Sequence, residues 1–188
     1  PLDANAKQSA REQFTQGRPY IVFVGSLHPR KNIQGMINAF EKYKSLGGKH
    51  ELLMVGVSMW KEEKKVASNV FYAGRLNDSL LANAVAGAEA MIYLPFFEGF
   101  GVPIVEAMAS GVPVVASNCT SVPEVCGDAA AALVDPLDAE GAANALIELE
   151  QNSDLKASTI SKGISRASEF SWDKSALLLS KYIDQLLN

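Results

Sequence analysis

Cysteine is scarce in this chain of 188 residues, which contains only Cys119 and Cys126. Two such cysteines are too few for a disulfide framework or a zinc site, so we expect both thiols to be unpaired. An excess of basic residues is also missing, since 17 Lys and Arg residues stand against 21 Asp and Glu residues and give a net charge of -4. Broad binding to a nucleic-acid backbone needs a basic surface, so we expect no nucleic-acid partner.

Long apolar runs and a dinucleotide fingerprint are absent as well. No segment approaches the roughly 20 consecutive apolar residues that span a bilayer. No Gly-x-Gly-x-x-Gly follows the first predicted strand, which disfavours a Rossmann dinucleotide site. The sequence does have 48% hydrophobic and 20% charged residues, a balance typical of a globular protein with a sizeable core.

Short β-branched segments alternate with amphipathic segments along most of the chain. Strands are predicted over residues 20–24, 51–55, 70–73, 90–94, 112–116 and 131–134, and helices over 33–45, about 79–86 and 102–110. This alternation predicts an α/β fold: a Rossmann-like parallel six-stranded sheet with helices on both faces. We expect residues 1–188 to form a single domain, with a short helix or arm over 1–18 and a mostly helical tail over 138–188 that packs across it.

The segment from Glu98 to Glu106, Glu-Gly-Phe-Gly-Val-Pro-Ile-Val-Glu, carries the clearest chemistry in the sequence. Pro103 suits the first turn of a helix, where its missing N–H would have had no partner. Glycines just before a helix allow close approach of a ligand, and the free N–H groups there favour an anion. Two carboxylates beside such amide donors predict a site for a polyhydroxylated ligand that carries phosphate.

Four blocks of the sequence, in this order, resemble one family: Gly25-Ser-Leu-His-Pro-Arg-Lys-Asn32, Asn69-Val-Phe-Tyr-Ala-Gly74, the Glu98 block extended to Val115, and Ser121-Val-Pro-Glu-Val125. The family is the group 1 glycosyltransferases (sequence family 4), which are retaining enzymes of GT-B fold. The match is to their C-terminal half and runs from about Pro19 to the closing signature Phe170-Ser171-Trp172. The resemblance implies one half of a GT-B fold that binds the donor, with the N-terminal acceptor domain absent from this chain.

The resemblance also implies roles for individual residues. Lys31 and Arg30 would hold the diphosphate leaving group, and Glu98 would face the transferred sugar; these three are the predicted catalytic residues. Glu106 would accept hydrogen bonds from the ribose hydroxyls. The other predicted donor-binding residues lie in loops that follow strands: Gly25, Ser26, Arg75, Leu76, Gly99, Phe100, Gly101 and Val102.

Several positions leave alternatives open. Ser26 stands where many members of the family carry Arg, so either Arg30 takes over that charge or the leaving group is stabilised more weakly. Glu124 is either a support for the site or a carboxylate at the start of a helix. His28 is interpreted as incidental, and Trp172 as a packing residue.

The function implied by the resemblance is transfer of a sugar from a UDP- or GDP-sugar to a hydroxyl of a sugar or lipid-linked acceptor. No Asp-x-Asp motif is present, so we expect neither a metal nor a cofactor. We also expect a cytoplasmic enzyme at the inner face of the membrane, with peripheral membrane association of the full-length protein in polysaccharide assembly, and no activity from this part alone. The alternatives are a non-catalytic nucleotide-sugar-binding module, a GT-B-like phosphorylase or epimerase, and a glycosidase-like carboxylate pair.

Overall fold

The computed structural model describes residues 1–57 and 69–187, so residues 58–68 and Asn188, the end of the predicted tail, lie outside the described residues. The strands are β1 (Tyr20–Val24), β2 (Glu51–Val55), β3 (Val70–Gly74), β4 (Ala90–Tyr93), β5 (Val114–Ser117) and β6 (Ala132–Val134). The helices are α1 (Ala4–Thr15), α2 (Ile33–Ser45), α3 (Asp78–Ala86), α4 (Val102–Ala109), α5 (Val122–Cys126), α6 (Ala139–Gln151), α7 (Ser153–Ala167) and α8 (Trp172–Leu187), with a 3-10 turn at Pro29–Lys31.

The strands form one parallel sheet of six, in the order β3-β2-β1-β4-β5-β6. This confirms the predicted Rossmann-like α/β fold with its helical C-terminal tail. The strand order reverses between β1 and β4, which lie side by side with Ile21 paired to Ala90. In open parallel sheets, ligands bind outside the carboxyl ends of the strands at such a switch point.

The core lies around the central strands. Every residue of β1, β2 and β4 is buried, as expected for strands covered on both faces. Helix α2 packs against α6, and α4 packs against α7. The cores of the predicted elements are confirmed, although β5 begins at Val114 instead of residue 112, and Asn77 caps α3 instead of Asp78 or Ser79. Asn77 is the N-cap because its side chain accepts a hydrogen bond from the backbone N–H of Leu80.

Helix α8 departs from the prediction. Helices α6 and α7 of the tail pack on the domain, but no residue of α8 is buried over its described length, Trp172–Leu187. Trp172 is 86% exposed, so the prediction that it packs was wrong. Its aromatic character indicated a contact, but the described chain offers no surface to cover it. No helix among residues 1–57 and 69–187 is long and apolar enough to cross a membrane.

Glu89 connects two helices to the sheet at the amino ends of the strands, on the side away from the candidate ligand-binding end. It directly precedes β4 and pairs with Arg11 of α1 at 2.5 Å and with Lys156 of α7. Burial would raise the pKa of Glu89, but the hydrogen bond and charge of Lys156, with help from Lys7 and Arg11, lower it from an ordinary 4.5 to about 2. The ionised carboxylate is therefore favoured by folding.

We expect Glu89→Gln to lower the free energy of unfolding at pH 7 by about 2 kcal/mol, a value reduced for the partial solvent exposure of the cluster. Because the folded pKa is depressed, the contribution is complete above about pH 4.5 and is lost as the pH falls towards 2. Urea denaturation at pH 7 and pH 3 measures this, with Glu148→Gln on the exposed side of α6 as the control. Equal losses for the two variants at pH 7 would contradict the role of the cluster.

Candidate active site

The candidate site is formed by two loops that leave the neighbouring carboxyl ends of β1 and β4. The loop after β1 carries the 3-10 turn that ends at Lys31, and the loop after β4 carries Glu98. The two loops are joined where the backbone N–H of Phe96 donates to the carbonyl of Arg30 at 2.9 Å. The residues predicted for the leaving group and for the sugar therefore meet at the switch point of the sheet.

Local hydrogen bonds fix the position of Lys31. His28 caps the 3-10 turn, because its Nδ1 accepts a hydrogen bond from the backbone N–H of Arg30 at 3.1 Å. Asn32 follows with a left-handed backbone (φ 55°), donates to the carbonyl of Pro136 at 2.7 Å and caps α2. Lys31 is thereby held facing inward and is only 6% exposed. His28, interpreted from the sequence as incidental, has a structural role in this turn.

Lys31, Tyr93 and Glu98 form a closed hydrogen-bonded network. The ammonium of Lys31 donates to the Tyr93 hydroxyl at 2.6 Å and forms an ion pair with Oε2 of Glu98. The Tyr93 hydroxyl donates to the same Oε2 at 2.6 Å. Burial would raise the pKa of Glu98, but the hydrogen bonds from Lys31 and Tyr93 and the charge of Lys31 hold it below its ordinary value. The site therefore contains an ionised carboxylate against a buried cation.

Tyr93 was not among the predicted site residues. Its side chain is fully buried at the end of β4, and its ring stacks on Phe23 with 5.9 Å between the ring centroids. Burial and the Glu98 carboxylate raise the pKa of Tyr93, so the phenol stays neutral and remains a hydrogen-bond donor. A tyrosine within an apolar strand is indistinguishable by sequence pattern from a core residue, so the pattern did not point to Tyr93.

The backbone of Glu98 is held by the loop that follows β5. Thr120 accepts a hydrogen bond from the backbone N–H of Glu98 at 3.1 Å, and the Ser121 hydroxyl donates to the carbonyls of Glu98 and Phe100 at 2.9 and 3.1 Å. Thr120 has φ 53°, a left-handed conformation that β-branched residues rarely adopt. Such strain persists only where the surrounding structure enforces it, and here it lies beside the candidate site.

Helix α4 begins next to Glu98 without a side-chain cap in the described part of the chain. Its first turn follows Gly101, whose φ of 105° suits glycine. The N–H of Gly99 donates to Oε1 of Glu98 at 3.2 Å. Val102 and Phe100 are each 44% exposed, and the Phe100 ring packs edge-on against Phe170. The predicted glycine turn and uncapped helix start are therefore present beside Glu98, and anion binding there stays a prediction.

Glu106 lies about one turn further along α4 and does not touch the Lys31 network. It is exposed, and its carboxylate has no hydrogen-bond or ion-pair partner among residues 1–57 and 69–187. Partial burial and the charge of Asp78, the first residue of α3, raise the pKa of Glu106. Glu106 thus lies on the side of α4 that faces the start of α3, where the loop with Arg75 and Leu76 also ends. Its shared hollow with Lys31 and Glu98 stays a prediction.

The remaining predicted residues border the same sheet edge. Gly25 donates its N–H to the carbonyl of Val55 at 2.9 Å, and a Cβ on Gly56 would stand 1.9 Å from the Gly25 carbonyl oxygen, so the two loops approach closely there. Ser26 is half-buried. Arg75 is exposed, whereas Leu76 packs against the core.

Arg30 and Glu124 were left with alternatives by the sequence. The Arg30 side chain is exposed, and its positive charge only partly offsets the rise in the pKa of Tyr93 that burial and the Glu98 carboxylate cause. Glu124 lies in the first turn of α5, and its carbonyl accepts a hydrogen bond from Arg166 at 2.6 Å. This favours the helix-start interpretation of Glu124. No three His, Cys, Asp or Glu side chains in the described ranges gather closely enough to hold a metal ion.

Comparison with curated proteins gives relatives that are mannosyltransferases. The chain is 33% identical over 163 residues to the O-antigen chain mannosyltransferase B of Escherichia coli, a match that covers 82% of this chain and 42% of the relative. It is 29% identical over 160 residues to the phosphatidyl-myo-inositol mannosyltransferase of Mycolicibacterium smegmatis, covering 81% of this chain and 41% of the relative. The chain therefore spans about two fifths of the length of these relatives.

Comparison with solved structures shows the fold. The Anabaena protein HepE in complex with UDP-glucose superposes with a TM-score of 0.84 at 18% identity, over 98% of this chain and 54% of that one. The C-terminal domain of the group 1 family protein LpcC from Francisella tularensis gives a TM-score of 0.73 at 19% identity, over 90% and 97% of the two chains.

A family model, described as glycosyl transferases group 1, matches residues 5–166. The match covers the sheet, both loops of the candidate site and helices α2 to α6, together with nearly all of α1 and α7. On this evidence the chain belongs to the group 1 glycosyl transferases.

Proposed function

We propose that this chain is the donor-binding half of a retaining glycosyltransferase. It binds a nucleoside-diphosphate sugar at the β1–β4 switch point, and the sugar passes to a hydroxyl of a sugar or lipid-linked acceptor. The acceptor is held mainly by an N-terminal domain in the full-length enzyme. The observation that carries this proposal is the contact of a buried Lys31 with Glu98 at the start of an uncapped helix.

Lys31 and Arg30 act on the leaving group. As the bond between the anomeric carbon and the phosphate oxygen breaks, its electron pair leaves with the nucleoside diphosphate and negative charge accumulates there. A fixed cation aimed at that charge stabilises the transition state more than the ground state. The 3-10 turn holds the backbone of Lys31, so its ammonium stays within the site, whereas Arg30 is exposed and adds its charge from the rim. The backbone N–H groups from Gly99 to Val102 supply further donors.

Glu98 acts on the sugar. Its Oε2 is occupied by Lys31 and Tyr93, and its Oε1 faces the start of α4, where it accepts from Gly99 and has a lone pair for a sugar hydroxyl. Its negative charge also stabilises positive charge on an oxocarbenium-like sugar. The acceptor hydroxyl attacks from the face that the leaving group vacates, and its proton passes to the departing phosphate oxygen. The anomeric configuration is thereby retained.

The nucleoside lies along α4 towards α3. Glu106 accepts hydrogen bonds from the ribose hydroxyls, and the backbone at Arg75 and Leu76 borders the base. Gly25 and Ser26 border the phosphates. The names of the curated relatives favour a mannosyl group as the transferred sugar, and the UDP-glucose bound by HepE supports a nucleotide sugar as the donor.

The proposed reaction uses no metal and no cofactor, because Lys31 and Arg30 neutralise the diphosphate. The isolated chain binds donor weakly and transfers little sugar, because half of the cleft belongs to the acceptor domain. We place the full-length enzyme in the cytoplasm, at the inner face of the membrane by peripheral association, in bacterial polysaccharide assembly. The O-antigen relative supports this setting.

Isothermal titration of this chain with UDP and with GDP tests the proposal. We expect one of the two nucleotides to bind measurably without added metal, and the other more weakly. A folded chain that takes up neither nucleotide contradicts the proposal.

The ribose contact has its own test. We expect Glu106→Ala to weaken binding of the preferred nucleotide by about 10- to 150-fold, because a carboxylate that accepts hydrogen bonds from ribose contributes about 1.5–3 kcal/mol. The 2′- and 3′-deoxy forms of that nucleotide should lose less affinity on the variant than on the wild-type chain. Glu41→Ala, an exposed carboxylate on α2, is the matched control. Equal affinities of the two variants would remove Glu106 from the site.

A further inference from the structure

The Tyr93 hydroxyl is the junction of the Lys31 network. It accepts a hydrogen bond from Lys31 and donates one to Oε2 of Glu98, each at 2.6 Å. A phenol has one O–H to donate, so its donor is committed to the carboxylate. Two of the three N–H bonds of Lys31 go to Tyr93 and Glu98 within the described residues, so the third is available to a ligand.

The two partners of Glu98 differ in their freedom to move. Lys31 carries its ammonium on a four-carbon stem with several rotatable bonds, which can turn towards an incoming anion. The Tyr93 ring is 0% exposed, is stacked on Phe23 and extends from a central strand of the sheet. A dense core holds such a ring in one position. Tyr93 therefore keeps its hydrogen bond to Glu98 under conditions in which Lys31 does not.

On the basis of the function proposed above, we propose that Tyr93 is a positioning residue that holds the Glu98 carboxylate in place when Lys31 turns from Glu98 to the diphosphate of the donor. In the free protein, Lys31 and Tyr93 share the carboxylate. In the donor complex, the cation serves the phosphates, and the phenol is the fixed side-chain donor that remains on Oε2. Glu98 then meets the sugar in the same orientation and the same charge state.

The charged and titratable groups that face Glu98 make this role measurable. They are Lys31 from the loop after β1 and Tyr93 from β4, and the charge of Arg30 acts on Tyr93. Burial acts on Glu98 to raise its pKa, and the hydrogen bonds from Lys31 and Tyr93 oppose that effect. If the phenol is removed while Lys31 is engaged by phosphate, burial is less opposed. Glu98 then takes up a proton at a higher pH and loses the charge that stabilises an oxocarbenium-like sugar.

Tyr93→Phe in the full-length enzyme tests the inference, with Tyr20→Phe as the matched control. Tyr20 is also fully buried in the sheet and donates a single hydrogen bond, to the carbonyl of Ala84 at 2.8 Å, far along β1 from the site. We expect Tyr93→Phe to lower kcat by about tenfold with KM for the donor changed less than about twofold. In the plot of kcat against pH, the fall in kcat on the acid side should move to a higher pH by about one unit. Tyr20→Phe should change neither kcat nor the pH at which it falls.

Melting temperatures of both variants, and a carboxyl NMR titration of Glu98 in this chain with saturating UDP or GDP, complete the test. The NMR titration should show a higher pKa of Glu98 in Tyr93→Phe than in the wild-type chain. A fall in kcat at the wild-type pH and an unmoved carboxyl titration in a folded, active Tyr93→Phe enzyme would overturn the inference but leave the proposed function intact. A wild-type enzyme that neither binds nucleotide nor transfers sugar would overturn both.

Discussion

Replacing Lys31 by alanine is expected to lower kcat of the full-length enzyme by about 10²–10³-fold, the cost of removing one preorganised contact to developing charge. The structure provides the reason, because Lys31 is 6% exposed and held by the 3-10 turn, so no water or surface lysine replaces it at low cost. Its loss also leaves Glu98 partly buried without its cation. We expect nucleotide binding to fall by about tenfold in calorimetry on this chain.

Two further variants make this prediction specific. Lys31→Met keeps the apolar stem and should be as inactive as Lys31→Ala but more stable. Lys42→Ala, on the exposed side of α2, should transfer sugar at the wild-type rate. Because Lys31 and Glu98 are in direct contact, the double variant Lys31→Ala/Glu98→Gln should lose less activity than the product of the single losses. Full turnover by Lys31→Ala would end the role of Lys31 in catalysis.

The fold was predictable because it depends on local patterns. The strands are short apolar runs, of which β1, β2 and β3 end at a glycine, and the helices between them have one apolar face, so strand and helix order follow directly. Parallel topology and right-handed crossovers then leave few arrangements. Helix boundaries such as the cap of α3 at Asn77 were not predicted, because several neighbouring residues can cap a helix and only the local geometry selects one.

The candidate site was predictable only in part. Lys31 and Glu98 stand out in the sequence because charged residues in glycine-rich loops need an explanation. Tyr93 and Thr120 do not stand out, because a buried tyrosine is typical of a core and a threonine in a loop is typical of a turn. Their importance follows from contacts between residues distant in sequence, such as Thr120 with the Glu98 backbone at 3.1 Å.

The exposure of Trp172 was not predicted for a similar reason. The apolar residues of α8 have the periodicity of a packed helix, but pattern alone does not say what covers them. A helix with this pattern packs on its own domain or on another surface, and the periodicity is the same in both cases.

Glu98→Gln gives the second large effect and separates catalysis from binding. Glutamine keeps the shape of the side chain and accepts fewer hydrogen bonds, but it has no charge to stabilise an oxocarbenium-like sugar. We expect kcat to fall by about 100-fold, the scale of losing one electrostatic contact to the transition state. The same change releases Lys31 from its ion pair, so this chain should bind UDP or GDP as tightly as the wild type, or more tightly.

Because Glu98→Gln is expected to lower kcat without weakening nucleotide binding, it distinguishes a catalytic domain from a nucleotide-sugar-binding module. A catalytic Glu98 predicts lost turnover with retained nucleotide binding, measured as kcat in the full-length enzyme and as affinity in this chain. Glu124→Gln, an exposed carboxylate at the start of α5, controls for the loss of charge. The hydrogen bonds from Lys31 and Tyr93 lower the pKa of Glu98, so the carboxylate of the free protein stays ionised to a pH below the ordinary range of glutamate. Unchanged turnover in Glu98→Gln would remove Glu98 from catalysis and favour a nucleotide-sugar-binding role for this chain, with the reaction of the full-length enzyme carried out by other residues.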